Sequence, residues 1–233
     1  MAGAPATVGI IGLNFLVFAA MVFLTDAKTL TAPSAATLLA WGADYGPYTM
    51  NGEPWRLFTA MFLHIGLLHI GVNMWALWSL GGITERVFGT GRFLLLYLLS
   101  GLGGSCVSVL VKPTVVGAGA SGAIFGALGG LLAFATLRKM IEPSEALNRL
   151  QSSALKCIII NFLISLSIPG IDSSAHLGGL VFGMIAGAVY LRGPLRGVAV
   201  AERTRVVAGT IAIIGLLIVI GVAAAYRVRA VLM

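Results

Sequence analysis

Gly117-Ala118-Gly119-Ala120-Ser121-Gly122-Ala123-Ile124-Phe125-Gly126 is a glycine-rich approach that passes into a predominantly apolar run ending at Arg138. The pattern reads as an extended loop entering a helix. At such a junction the first N–H groups have no acceptor four residues back. The helix dipole adds to them, so negative charge is favoured beside Ser121. A hydroxyl placed there is a candidate nucleophile. Small residues at four-residue spacing also serve close helix packing in membranes, so the stretch alone leaves both uses open.

The chain around it is too apolar for a water-soluble core. Of its 233 residues 58% are hydrophobic and 10% charged, whereas a soluble domain of this size carries about a quarter charged residues. Mean hydropathy is +1.00. These values place the chain in a bilayer. The formal charge of +7 does not point to nucleic acid, because the basic residues are spread between hydrophobic runs and form no patch with interleaved aromatics.

Seven spans are predicted, over 8–25, 57–80, 92–111, 121–137, 156–169, 175–191 and 206–226. The first has neither a basic leading segment nor a small-residue cleavage site and is read as a retained helix. Residues 26–54 form a long connection with Pro33, Gly42, Gly46, Pro47, Gly52 and Pro54. The fifth span is read as short, ending at Pro169-Gly170, and residues 144–155 before it as lying along the inner surface. No internal repeat is evident, so the expectation is an all-α, polytopic membrane helix bundle forming one integral unit.

With the N-terminus cytoplasmic, inner loops hold Arg86, Arg92, Arg138, Lys139, Arg149, Lys156, Arg192, Arg196, Arg203 and Arg205. That is ten of the 15 basic residues. Lys28, Arg56, Lys112, Arg227 and Arg229 fall outside, which satisfies the positive-inside bias. Ser121, His176 and His69 each stand roughly 16 to 17 residues from an inner anchor, Arg138, Arg192 and Glu85 respectively. At about 1.5 Å per residue this is roughly 24 to 26 Å, a little under the ~30 Å hydrocarbon core. Three polar side chains on three helices thus share one depth below the outer boundary.

A layer of intramembrane polar groups is a functional-site hypothesis by default. His176, Gly179, Gly183 and Gly187 share one helical face, and Gly122, Gly126 and Gly130 form a matching smooth face. Such faces bring backbones close enough for His176 to reach Ser121; a hydrogen-bonded packing histidine is the alternative. On the second span His69 and Asn73 share a face at i and i+4. They can donate to an oxyanion or simply link helices. His64 lies off that face and nearer the outer surface, where it is read as holding the loop.

Trp55-Arg56, then His64, His69 and Asn73, then Gly-Ala-Ser-Gly at 119–122, then Ala-His-Leu-Gly-Gly-Leu-Val-Phe-Gly at 175–183 resemble the rhomboid family of intramembrane serine proteases. The resemblance covers roughly residues 50–191. It implies a six-helix core over 1–191, with 192–233 supplying an inner linker and one additional C-terminal transmembrane helix. It also implies a Ser121–His176 dyad, with Ser121 as nucleophile and His176 as general base and acid. The oxyanion would be held by the Ser121 N–H, His69 and Asn73. Gly119, Gly122, Phe125, Gly179, Gly183, Trp55, Arg56 and His64 would support the site, Trp55 and Arg56 as interfacial anchors. Two positions depart from the family: Phe125 stands where a tyrosine is common, and Ala118 where a glycine often lies. Asp172, four residues before His176, receives no triad role.

The implied substrates are single- or multi-span membrane proteins, cut near the outer end of a transmembrane helix. The short fifth span corresponds to the lateral gate proposed in the family. No cofactor is expected, and no metal: there is no His-Glu-x-x-His and no carboxylate close to His69 or Asn73. Cys106 and Cys157 fall in opposite membrane halves and are not read as a disulfide. A rhomboid-like protein that binds client helices without cutting them is the alternative, although such relatives generally lack the serine or the histidine. A transporter would show paired intramembrane charges or matching broken helices, and neither is seen. The expected location is a prokaryotic cell membrane, with the C-terminus and the active-site opening outside; this rests on the lack of a basic, serine-rich presequence.

Overall fold

The computed structural model describes residues 3–168, 170–191 and 201–233. Ten α-helices follow in order: α1 (Pro5–Leu24), α2 (Ala35–Ala40), α3 (Gly46–Thr49), α4 (Arg56–Thr59) and α5 (Gly66–Phe88), then α6 (Thr90–Val111), α7 (Ser121–Ile141), α8 (Glu145–Ser167), α9 (Ser173–Val189) and α10 (Glu202–Leu232). Among the described residues there is no strand, only an isolated antiparallel bridge between Asp44 and Gly117. Pro169, Arg192 and Arg196, used above for the end of the fifth span and the charge count, lie outside the described residues.

Helices α1, α6, α7, α8 and α10 are long and apolar enough to cross a membrane. The segment Arg56–Phe62 with α5 makes a sixth, and the 17-residue α9 is a shorter apolar helix, about 25 Å long. The protein is therefore a polytopic helical membrane bundle.

Two expectations are corrected. The second span does not run straight through 57–80: the chain bends by 91° between Arg56–Phe62 and α5. Leu63 is extended, and Gly66 takes φ +83° with its Cα so near the Thr31 carbonyl that a Cβ would lie 2.4 Å from that oxygen. Only glycine fits this corner. The fifth span is not short either, and 144–155 is not a separate surface segment. Ser144 accepts from Leu147 N–H as an N-cap. No proline or glycine interrupts the chain from there to Ser167, so the helix continues unbroken for 23 residues.

Helix α7 is central, packed between α6 and α9 and touching α5 and α8. The glycine faces decide how close the packing is. A Cβ on Gly179 would fall 2.0 Å from the Gly122 carbonyl oxygen, one on Gly183 2.1 Å from that of Gly126, and one on Gly187 2.7 Å from Gly130 Cα. The α7–α9 contact is thus backbone against backbone, as the spacing predicts.

At the opposite end of the site helices, the first turn of α1 has no side-chain cap of its own. Glu85 near the end of α5 supplies one: it accepts from the N–H of Ala6 (3.0 Å) and Thr7 (2.8 Å) and from the hydroxyls of Thr7 and Thr90 (both 2.8 Å). The orphan donors of one helix are satisfied by a carboxylate of another. Helix α10 begins where Arg92 of α6 pairs with Glu202. It ends against α3, where a Cβ on Gly46 would meet Val228 at 2.9 Å.

Candidate active site

The approach to α7 is held from two sides. Asp44 and Gly117 exchange backbone hydrogen bonds of 2.9 and 2.8 Å, and Gly119 N–H donates to the Ala60 carbonyl at 2.9 Å. Gly119 itself has φ +136°, a conformation that turns the chain into the helix and that a side chain would resist. Ala120 offers no side-chain cap. The N–H groups of the first turn, Ser121's among them, therefore have no acceptor within the helix.

His176 sits in the first turn of α9, buried beside this junction. Its Nε2 lies 2.8 Å from Ser121 Oγ, a full hydrogen bond. Phe125 stacks on the imidazole with ring centroids 4.2 Å apart and planes 14° apart. The ring that replaces the usual tyrosine thus keeps its place on the histidine. His176 Nδ1 is buried and has no hydrogen-bond partner among the described residues, so the pair has no third carboxylate.

His69 stands over Gly119: a Cβ there would lie 2.8 Å from His69 Cε1 and 3.1 Å from Nε2. Across the 91° bend, Ile65 N–H donates to His69 Nδ1 at 3.1 Å. A nitrogen that accepts carries no proton, so the neutral ring is protonated on Nε2, the atom facing the approach to Ser121. Asn73, one turn along α5, donates one Nδ2 hydrogen to the His69 carbonyl at 2.9 Å. Its second N–H is available to a ligand.

The remaining expected residues divide. Gly122, Gly179 and Gly183 form the close helix contact described above. His64 is fully buried and packs against His69 at a centroid distance of 5.2 Å. Arg56 is not an interfacial anchor. It is 7% exposed and braces the 26–54 connection from within, donating to the carbonyls of Leu39 (2.7 Å) and Ala43 (3.0 Å) and to Glu53 (2.6 Å). Its guanidinium covers the rings of Trp55 and Tyr48. Trp55 is half exposed.

The structural roles of two acidic residues of the site region, Asp172 and Asp44, were not read from the sequence. Asp172 caps α9, and an aspartate just before an apolar run was the available signal. Asp44 left no such signal, because its burial depends on the connection folding over 112–120. Thr49 Oγ1 donates to it at 2.6 Å. The charged or titratable groups around Asp44 are Arg56, Asp172, Tyr45 and Cys106. Burial pushes its carboxyl up to about 7, with Asp172 adding to the rise and Thr49, Arg56 and the Tyr45 N–H opposing it.

Between the ordinary value of 3.8 and about 7, the folded state holds a proton that the unfolded chain has released. This contribution to stability is complete below that ordinary value and is lost as pH rises through about 7. Thermal unfolding in detergent should therefore show a midpoint that falls over this window, with a visibly shallower fall for Asp44→Asn, which keeps the Thr49 contact.

The rhomboid-domain family profile matches residues 51–193 of this chain. The chain is 45% identical over 153 residues to rhomboid protease GluP of Bacillus subtilis, covering 65% of this chain and 29% of that protein. It is 39% identical over 166 residues to the mitochondrial RHOMBOID-like protein 6 of Arabidopsis thaliana, 71% of this chain and 53% of the relative. To rhomboid-like protease 3 of Toxoplasma gondii it is 34% identical over 159 residues, 68% and 60% of the two chains. The match thus spans from under a third to somewhat over half the length of these relatives.

Proposed function

The chain belongs to the rhomboid family, and on that premise we propose that it is an intramembrane serine endopeptidase working through Ser121 and His176. The observation that carries this reading is the 2.8 Å contact between Ser121 Oγ and His176 Nε2 inside a helical membrane bundle. In the proposed reaction Ser121 Oγ attacks the scissile carbonyl while His176 Nε2 takes its proton. His176 then gives that proton to the leaving amine; water next attacks the acyl carbonyl as His176 takes its proton, and His176 passes that proton to Ser121 Oγ as the acid leaves. The tetrahedral oxyanion is held by the Ser121 N–H, His69 Nε2–H and the free Nδ2–H of Asn73. Neutral donors at a water-poor site are worth more than in bulk water.

Substrates are transmembrane segments of other membrane proteins. A peptide bond in a helix is shielded, so small or helix-weakening residues at the cleavage site lower the cost of unwinding it. The site opens to the outer face of a prokaryotic cell membrane beneath the 26–54 connection, with the N-terminus cytoplasmic and the C-terminus outside. Residues 1–191 form the catalytic core, and 192–233 add a linker and a seventh helix. Helix α8 serves as the lateral gate: few of its residues are buried, and α7 is its main neighbour.

The reading is tested by cleavage of a single-span model substrate by the purified chain. Asn73→Ala should lower kcat about 10²-fold through loss of one oxyanion donor. An unchanged kcat would remove Asn73 from the oxyanion site. Detection of no cleavage by the unmutated chain against any of several such substrates would favour a client-binding role instead.

A further inference from the structure

Asp172 touches none of the reacting atoms, yet its carboxylate is engaged on every side. Oδ1 accepts from the backbone N–H of Ser174 (3.1 Å) and Ala175 (3.3 Å) and from the Ser174 hydroxyl. Oδ2 accepts from the hydroxyl of Ser108, on α6. Lys112 Nζ, at the end of α6, stands 3.6 Å from Oδ1. The next N–H along, that of His176, donates to the Asp172 carbonyl at 3.2 Å. One side chain therefore caps α9 and ties it to α6, a single helical turn from the imidazole.

The tie matters because of what surrounds α9. The helix is wedged between α6 and α7 on faces of small residues. A Cβ on Gly178 would meet the Gly103 carbonyl at 2.8 Å, and one on Gly179 the Gly122 carbonyl at 2.0 Å. Such faces allow close approach, and the side chains that key them lie beside and beyond them along the axis: Phe182 of α9 fills the notch at Gly103 of α6, and Val107 of α6 lies against Gly178. A slide of one residue, about 1.5 Å, would carry the 2.8 Å bond between His176 and Ser121 beyond the ~3.2 Å limit of a useful hydrogen bond. A polar peg at the outer end fixes the register where it bears most directly on the imidazole, one turn away.

We propose that Asp172 is a positioning residue: fixed to Ser108 of α6, it sets the axial register of α9 and keeps His176 within reach of Ser121. This rests on the dyad reading above. The proposed effect runs through the cap and α6, not through a hydrogen bond to the imidazole, whose Nδ1 has no partner among the described residues.

The test is steady-state cleavage of a single-span substrate by the full chain in detergent, with unfolding midpoints measured alongside. Asp172→Ala should lower kcat about 30- to 100-fold, the cost of misplacing a catalytic group by about 1 Å, with KM within about twofold. Asp172→Asn should return kcat to within about threefold of the unmutated chain, because its amide oxygen still accepts from both N–H groups and its NH₂ can donate to Ser108. Ser108→Ala should cost roughly 5- to 10-fold alone and nothing further in the Asp172→Ala background.

Full activity of Asp172→Ala would overturn the proposal. So would an Asp172→Asn chain as inactive as the alanine variant, which would place the role in the charge, or a raised KM with unchanged kcat, which would place it in substrate binding. If Asp172→Ala does not fold, Ser108→Ala decides: lowered kcat supports the peg, and unchanged kcat overturns it. Ser121→Ala separates the two levels. Cleavage that survives it defeats the dyad reading itself, whereas an inactive Ser121→Ala beside a fully active Asp172→Ala defeats the positioning role alone.

Discussion

Co-expressed with a single-span membrane substrate, the Ser121→Ala chain should leave that substrate intact, and His176→Ala should do the same, while the unmutated chain yields an N-terminal and a C-terminal fragment. The expected loss is at least about 10⁴-fold for either change, because nucleophile and base act as one unit. For the same reason the double variant should be no worse than the single ones. Ser121 Oγ is hydrogen-bonded to His176 Nε2, so removing the imidazole leaves a hydroxyl with a pKa far above working pH and no acceptor for its proton. Removing the hydroxyl leaves a base with nothing to activate. Water in place of Ser121 Oγ would have to attack without the positioning that the covalent route provides.

Gly179→Val should cost nearly as much without touching a reacting group. A Cβ at this position would lie 2.0 Å from the Gly122 carbonyl oxygen and 2.7 Å from the Gly122 carbonyl carbon, against ordinary contacts near 3.5 Å or more. The neighbour is backbone, so no rotamer change relieves the overlap. Helix α9 must back away from α7 by more than 1 Å, and His176, one turn before Gly179, moves with it. Misplacement of that size costs about 10²-fold, and the second branch of valine should take the loss past about 10³-fold. Gly215→Val is the control. Nothing lies within 4 Å of a Cβ built on Gly215, so kcat should stay within about twofold there.

The features legible in the sequence are those written in local period. Apolar runs located the helices, and glycines four residues apart on two of them marked the α7–α9 contact, because both signals depend only on residues within a few turns. The depth count set Ser121, His176 and His69 in one layer; in the structure the first two are hydrogen-bonded and the third stands over Gly119. What the sequence hid was tertiary. The corner at Gly66 depends on the Thr31 carbonyl lying beside it, and nothing local to residues 57–80 shows that contact. The proton on His69 Nε2 follows from a hydrogen bond across the same corner.

Arg56 looked like an interfacial cation because its partners, the carbonyls of Leu39 and Ala43, lie far back in an irregular connection. The unbroken α8 misled in the opposite way. Its first three turns alternate polar and apolar groups, as a surface segment would, yet helix formers run through them without a stop. Asp172 was given no role from the sequence, and its tie to α6 was hidden because Ser108 is 64 residues away.

The most direct measurement of the central claim is the site of covalent labelling by a fluorophosphonate on the purified chain, mapped by mass spectrometry. Fluoride leaves as a serine oxygen bonds to phosphorus, so the adduct marks the activated hydroxyl independently of any substrate. The account predicts a single adduct on Ser121, lost in His176→Ala. An adduct on another serine, or undiminished labelling of Ser121 without the imidazole, would contradict it.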